Sequence, residues 1–478
     1  LLLMTDQHRF DCLGCYGNDA IDTPNLDRIA AEGSLFTSAY TACPSCVPAR
    51  ACLLTGMSQW NTGIMGMGGN QGPIGVGFRH TLPGELAKVG YHTQGIGKMH
   101  FFPQRALNGF HHTVVDESGR RQDPGFVSDY KQWFDARKEG DCDIIDENLS
   151  WNGWEAKPYH APEHLHPSVW TVNESIAFLQ RRDPSRPFFL KTSFARPHSP
   201  YDAPKRLFDA YMQRDLPKPS VGEWADIHDD PVQAEGKNAW RGVKSREEIQ
   251  RARAGYYGNI TFIDEQIGRL LDYLEETGEL ENTLIMFTSD HGDMLGDHNL
   301  WRKTYAYEGS VHVPMIVRMP AGMHHACKRI GAPVMLRDVM PTVLDVIGVT
   351  IPRTVDGLSM KPLMTGENGV WREYVHGEHN TCYSLDFIMQ YLTDGDEQFF
   401  DLAEDPGERF DLSRRPAWRD TLRAWRKRLV RELEPRNLGW TRHGELVTQK
   451  EGMISPRYRE RLQRSGFDWL AYAKQAKR

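Results

Sequence analysis

Long hydrophobic runs are missing from this 478-residue chain: no stretch reaches the ~20 apolar residues of a bilayer-spanning helix, so no membrane association is expected. Cysteine is scarce. Eight cysteines, unevenly spaced, exclude a disulfide scaffold and read mostly as buried free thiols. A dominant charge is also lacking, since the formal net charge is −7 and Lys and Arg are scattered rather than gathered into a stripe. That excludes a nucleic-acid footprint. The Arg-rich segment WRDTLRAWRKRLVRELE reads as a solvated helix face. There is no internal repeat, no low-complexity tract and no heptad or exposed apolar stripe from which an oligomer could be read. An initiator Met is absent too. The opening LLLMTDQH reads as the middle of a buried strand, so residues are expected to precede it; the lean is to a cytoplasmic protein, with a periplasmic or secreted one left open by the missing start.

What is present is enough apolar residue for one large core and a smaller one, because single cores stop growing near about 250–300 residues. Leu1 to Thr5 is a continuous apolar run ending in polar residues, the pattern of a strand buried on both faces in a parallel sheet. TPNLDRIAAEG has Pro at the first helical position and Gly at the end. The alternation recurs in LPGELAKVGYHTQGIGK (helix, then strand), SVWTVNESIAFLQRR (helix), PFFLKTSFA (strand), ITFIDEQIGRLLDYLEETG (amphipathic helix) and NTLIMFTSDHGD (strand). The fold class is therefore α/β: a large doubly wound, mostly parallel sheet flanked by helices. Residues 1–369 form this domain, with an insertion over about 105–167 lying above its functional edge. Residues 370–478 form a smaller C-terminal α+β domain.

In an open α/β sheet the carboxyl ends of the strands converge on one crevice. Asp6 with Gln7, Lys98 with His100, His198, and Asp290, His291 and Asp293 all follow strands, so they can meet. Carboxylates with an amide and an imidazole suit a hard divalent cation, calcium or magnesium. Cys12-x-x-Cys15 and Cys43-x-x-Cys46 mimic zinc knuckles, but the gap between them is longer than in a zinc ribbon, and packing is the favoured reading. His111, His112, His324 and His325 read as exposed loop residues.

The segment CPSCVPARACLLTG is specific. Cys46, Pro48 and Arg50 match a C-x-P-x-R signature, followed by Leu54, Thr55 and Gly56, and the chain resembles the type I, formylglycine-dependent sulfatases of the alkaline-phosphatase-like superfamily. The resemblance covers about the first 370 residues in order. It implies that a formylglycine-generating enzyme oxidises Cys46 to an aldehyde, and that Asp6, Gln7, Asp290, His291 and the modified Cys46 hold Ca2+, with Mg2+ as the alternative. It implies catalytic roles for Arg50, Lys98, His100, His198 and Lys303; His312 stands where an arginine is more usual. The hydrated aldehyde attacks sulfur, Arg50, Lys98 and Lys303 neutralise the sulfate oxygens, His198 assisted by Lys303 protonates the leaving group, and His100 deprotonates the remaining hydroxyl to expel sulfate.

The implied substrate is a sulfated carbohydrate, with an aryl sulfate second. Trp151, Trp154, Tyr159, His160 and the His376 to Asn380 segment, His379 included, are candidate sugar contacts. A phosphonate monoester or phosphodiester hydrolase and a noncatalytic glycan-binding protein are the alternatives. The resemblance also implies a strand between QYLTDG and FFDLAEDPGE, where only Asp396, Glu397 and Gln398 stand: either that strand is short or residues are missing.

Overall fold

The computed structural model describes residues 1–66, 77–120, 125–326, 328–367, 369–379, 383–386, 389–392, 395–448, 455–457 and 460, with the backbone alone for 383–386 and 389–392. Its strands are β1 (Leu2–Asp6), β2 (Ser34–Phe36), β3 (Ala39–Tyr40), β4 (His92–Gly97), β5 (His112–Val115), β6 (Phe188–Pro197), β7 (Ile285–Ser289), β8 (Met315–Arg318), β9 (Arg329–Ile330) and β10 (Val334–Met335), followed by a separate antiparallel set. Eight of these make one sheet in the order β5-β4-β6-β1-β7-β8-β2-β9. The run from β5 to β7 is parallel throughout, and β8 is antiparallel to both β7 and β2.

β1 sits at the centre, paired with β6 and β7, and every residue of it is buried. Its side chains alternate between two cores. Leu1 and Leu3 face the layer that holds the helices Pro24–Glu32, Pro167–Arg181 and Arg246–Glu276. Leu2 and Met4 face the layer with Cys46–Thr55 and Val339–Val346. Helices on both faces are why the strand reads as an unbroken apolar run.

The helix expected over 260–278 begins earlier, at Arg246, where Ser245 and Glu248 form a reciprocal capping box. Gly255 and Gly258 obscure that stretch in the sequence. They are contact points: a Cβ on Gly255 would lie 2.4 Å from the Tyr201 carbonyl oxygen, and one on Gly258 2.7 Å from the Ala203 Cβ.

The 105–167 insertion is partly a strand, since β5 within it is the edge of the main sheet; His112 is thus a strand residue, not a loop residue. Downstream, His376–His379, Tyr383–Asp386, Met389–Leu392 and Glu397–Phe399 form an antiparallel four-stranded sheet beside the helix Arg419–Leu433. Glu397–Phe399 pairs directly with Met389–Leu392, so the strand in question is a short one. The Glu378 N–H of this sheet donates to the Ala42 carbonyl at 2.7 Å, close to Cys46 in the chain. Among the described residues no helix is long and apolar enough to cross a membrane.

Candidate active site

Four adjacent parallel strands deliver side chains to one edge of the sheet. β1 ends in Asp6 and leads into Gln7, β4 leads into Lys98 and His100, β6 into His198, and β7 into Asp290 and His291. The helix Cys46–Thr55 starts at the same edge, with Cys46 its first residue and Ser45 an extended N-cap.

Arg50 lies one turn beyond Cys46 and therefore on the same helix face. Its guanidinium is buried and bridges two strand tips: Nε is 2.8 Å from Asp290 Oδ2 and Nη2 2.9 Å from Asp6 Oδ2. Nη1 donates to the Lys98 carbonyl at 2.6 Å and to Ser193 Oγ at 3.0 Å. Lys98 Nζ reaches Asp6 Oδ2 at 2.5 Å. Burial alone would raise the Asp6 carboxyl, but Lys98, His198, Arg50 and His291 hold it well below the usual carboxylate range.

Cys46 Sγ is 3.7 Å from Asp6 Oδ1, 3.2 Å from His291 Nε2 and 4.0 Å from Lys98 Nζ. Burial and Asp6 push its thiol up, while Lys303, Lys98 and His291 outweigh them and bring it to about 7. Asp6, Cys46, Asp290 and His291 all turn donor atoms to one point, within 4.8 Å of one another. His291 Nδ1 is 2.8 Å from the Gly292 carbonyl, so Nδ1 carries a hydrogen; against burial, Asp290 and Cys46 raise this histidine, and a cation in the cluster would take the Nε2 lone pair in place of a proton. Two carboxylates and a neutral imidazole fit a hard divalent cation.

A second group lies beside the first. Lys303 Nζ is 2.6 Å from His198 Nε2 and 2.8 Å from Gln7 Oε1. His198 Nδ1 is 3.0 Å from the Ser199 carbonyl, so Nδ1 bears the hydrogen and Nε2 accepts from the lysine. Burial lowers Lys303 to about 8 and, with the lysine alongside, holds His198 well below its ordinary value. His100 is buried with no partner on either ring nitrogen among the described residues, and burial followed by Arg120, Lys98 and Arg50 keeps it neutral. Glu117 fixes it there, because Oε1 accepts from the backbone N–H groups of Met99 (3.1 Å) and His100 (2.8 Å), the latter at φ 59°.

Gly97, next to Lys98, has φ 86°, and a Cβ there would lie 2.0 Å from the Ser193 carbonyl oxygen. Gly97→Ala is expected to cost about 3 kcal/mol or more and to lower turnover by displacing Lys98. Denaturant midpoint and initial rate, taken together, check both effects; an unchanged midpoint would contradict the close approach.

The sulfatase family model matches residues 1–349. The chain belongs to the sulfatase family. A second model, described as N-sulphoglucosamine sulphohydrolase, C-terminal, matches residues 296–434. An arylsulfatase of Clostridium perfringens is 44% identical over 467 residues, covering 94% of this chain and 96% of that protein. The N-acetylglucosamine-6-O-sulfatase of Bacteroides thetaiotaomicron is 30% identical over 463 residues, 85% of this chain and 81% of that protein. The phosphonate monoester hydrolase of Agrobacterium radiobacter has the same fold, with a TM-score of 0.76 at 23% identity over 94% of this chain and 99% of that one. This sulfatase is accordingly a sulfuric ester hydrolase.

The structure redistributes several of the residues singled out in the sequence. The Asp293 carboxylate accepts from Gln7 Nε2, Tyr201 Oη and the backbone N–H groups of Leu295 and Arg302, so it braces the sulfatase site from below. Gln7 is held at both ends, by Asp293 and by Lys303. His312 lies 3.6 Å from Phe10, ring on ring, and bonds Glu308 at 2.6 Å, a packing role.

Trp154 is not a substrate contact, because it is buried against Trp301 with its N–H on the Gly236 carbonyl. Tyr159 is buried with its hydroxyl on the Leu165 carbonyl, and His160 bonds the Asp143 carbonyl. His376 pairs with Glu378 at 2.5 Å, and Glu378 with Arg436, on one face of their strand, where His376 lines a cavity with Trp60, Tyr374 and Arg436. Strand alternation puts His379 on the other face, where burial and then the charge of His291 lower it to about 4. Asn380 lies outside the described residues. Trp151 remains exposed, with Arg120 over its ring. Sequence reading missed Glu117 and Arg120; both come from an irregular segment with no periodicity to mark them.

Proposed function

We propose that this sulfatase hydrolyses a sulfate ester of a carbohydrate, using an aldehyde made from Cys46 by a formylglycine-generating enzyme and a calcium ion held by Asp6, Asp290, His291 and position 46, with Gln7 beside them. The observation that carries the reading is the buried meeting of Cys46 with both strand-tip carboxylates and His291. The sugar part of the substrate is supported by the likeness to a relative named for N-acetylglucosamine 6-sulfate.

A cation held by Asp6, Asp290 and His291 would supply Lewis acidity, and the hydrated aldehyde at position 46 would supply the oxygen nucleophile toward sulfur. The remaining work belongs to side chains. Lys98 and Lys303 bring positive charge to the sulfate oxygens. All three Arg50 nitrogens are already committed to Asp6, Asp290, Ser193 and the Lys98 carbonyl, so Arg50 is a positioning residue rather than a sulfate clamp. Because His198 Nε2 accepts from Lys303, the proton for the leaving alkoxide is held on the Lys303 side of that pair. Neutral His100 takes the proton of the remaining hydroxyl as the carbon–oxygen bond to sulfate breaks and the aldehyde re-forms.

Mass spectrometry of the peptide holding residue 46, from protein coexpressed with the activating enzyme, together with sulfate release from a panel of sugar and aryl sulfates, tests the whole reading. Unmodified Cys46 with no release would sink it. A panel in which phosphonate monoesters or phosphodiesters outrun sulfate esters would reassign the chemistry, and glycan binding without turnover would leave a binding protein.

Stripping divalent cations with EGTA is expected to lower the rate by roughly 100-fold or more, with Ca2+ restoring it more fully than Mg2+. Restoration by Mg2+ alone would change the metal; a rate indifferent to EGTA would remove it.

A further inference from the structure

Buried arginines of this sulfatase such as Arg9, Arg50, Arg196 and Arg253 each pair with a carboxylate. Arg120 does not. It is 9% exposed, yet among the described residues it has no carboxylate partner, and its Nε has no partner at all. Nη1 touches the Glu117 carbonyl at 3.5 Å, and Nη2 touches His198 Nε2 at 3.4 Å. The guanidinium lies 4.6 Å over the ring of Trp151, which is itself 44% exposed. The buried carboxyls of Asp116 and Glu117 feel its charge, but neither is in ion-pair contact, and a desolvated cation with no carboxylate against it is stabilised by an anion that arrives from outside.

The surroundings say where that anion would come from. Arg120 lines a cavity of about 180 Å³ with Phe126, Ser128, Lys131, Asp143 and Trp151. Lys131 is already matched there by Asp135 at 2.5 Å and Asp143 at 3.2 Å, which leaves the guanidinium as the unmatched charge. Trp151 stacks on its plane, Nε is left without a partner among the described residues and the two Nη contacts are long, so an arriving oxyanion could take two of its N–H groups. Contact with His198 puts those N–H groups on the leaving-group side of the ester, as the proposed proton transfer defines that side.

We propose that Arg120, backed by Trp151, is a subsite for a second anionic group, a carboxylate or a second sulfate, carried by the leaving group close to the ester that is cleaved. The inference rests on the sulfatase reading of the site and deepens it, because a preferred substrate is then at least doubly anionic.

The test compares the sulfate esters of 2-, 3- and 4-hydroxybenzoic acid with those of the three corresponding hydroxybenzamides, which match them in shape but carry no second charge. At one position or more the carboxylate ester is expected to be favoured by about 10- to 100-fold in kcat/KM, the worth of one charge-assisted contact. Arg120→Gln should bring that ratio to about 1, Arg120→Lys should restore part of it, and Trp151→Leu should weaken it several-fold. Reading a ratio within each variant cancels whatever Arg120 contributes to His198 for all substrates. Resorcinol bis-sulfate against the monosulfate of its methyl ether separates a second sulfate from a carboxylate. A wild-type ratio near 1 for every pair, or a preference that survives in Arg120→Gln, overturns the subsite while leaving the sulfatase reading intact. No release from any ester by protein with verified modification at residue 46 removes the reading beneath it, and the subsite with it.

Discussion

Cys46→Ala is expected to remove sulfate release, by roughly 10⁴-fold or more, while the protein stays folded. The sulfur sits at the start of a helix whose packing comes from other residues: Val47, Ala49, Ala51, Leu53 and Leu54 make the apolar contacts. Its own neighbours are Asp6, His291 and Lys98, groups organised for chemistry. Truncation therefore takes away the reacting carbon and little of the core. A buried cysteine that merely fills space would behave in the opposite way, with a lower melting temperature and preserved turnover. Rates and melting curves on one preparation distinguish the two, and a Cys46→Ala protein that still releases sulfate at a tenth of the normal rate would refute the assignment.

Arg50→Met should produce the largest loss of stability. One guanidinium screens two buried carboxylates from each other, and removing one partner from a buried ion pair costs about 3–5 kcal/mol. Lys98 still faces Asp6, but Asp290 keeps no cationic partner of comparable geometry. A divalent cation bound by those carboxylates would replace part of what was lost, since a ligand at about 100 times its Kd adds about 2.7 kcal/mol. The variant should thus melt far below the wild type in EGTA and recover disproportionately with calcium. Equal calcium responses in the two proteins would mean that Asp6 and Asp290 are not held in a shared cation site.

The strand tips were legible because parallel strands buried on both faces read as apolar runs, and a polar residue at the end of such a run must lie at an edge. That logic places Asp6, Lys98, His198 and Asp290 at one edge of the sheet. It could not assign what each atom does once there. The signature suggests Arg50 as a sulfate clamp, but its nitrogens are occupied, and it suggests Gln7 as a cation ligand, while Lys303 and Asp293 hold its two ends. Trp151 and Trp154 are three residues apart in a segment without periodicity, and only packing separates the exposed ring from the buried one. Arg120 and Glu117 were invisible for the same reason. Gly255 and Gly258 hid half of the longest helix because close approach to another chain segment and helix breaking look alike in a sequence.

The strand order also sets a schedule for biosynthesis. β1 leaves the ribosome well before the neighbours that bury it, β6 and β7, and Lys303 is made later still. Until they arrive, the segment holding Cys46 has no finished edge to join. A side chain wholly sealed in the completed fold is thus accessible for most of translation, and any enzyme that must rewrite residue 46 works against the clock of elongation rather than against a closed protein.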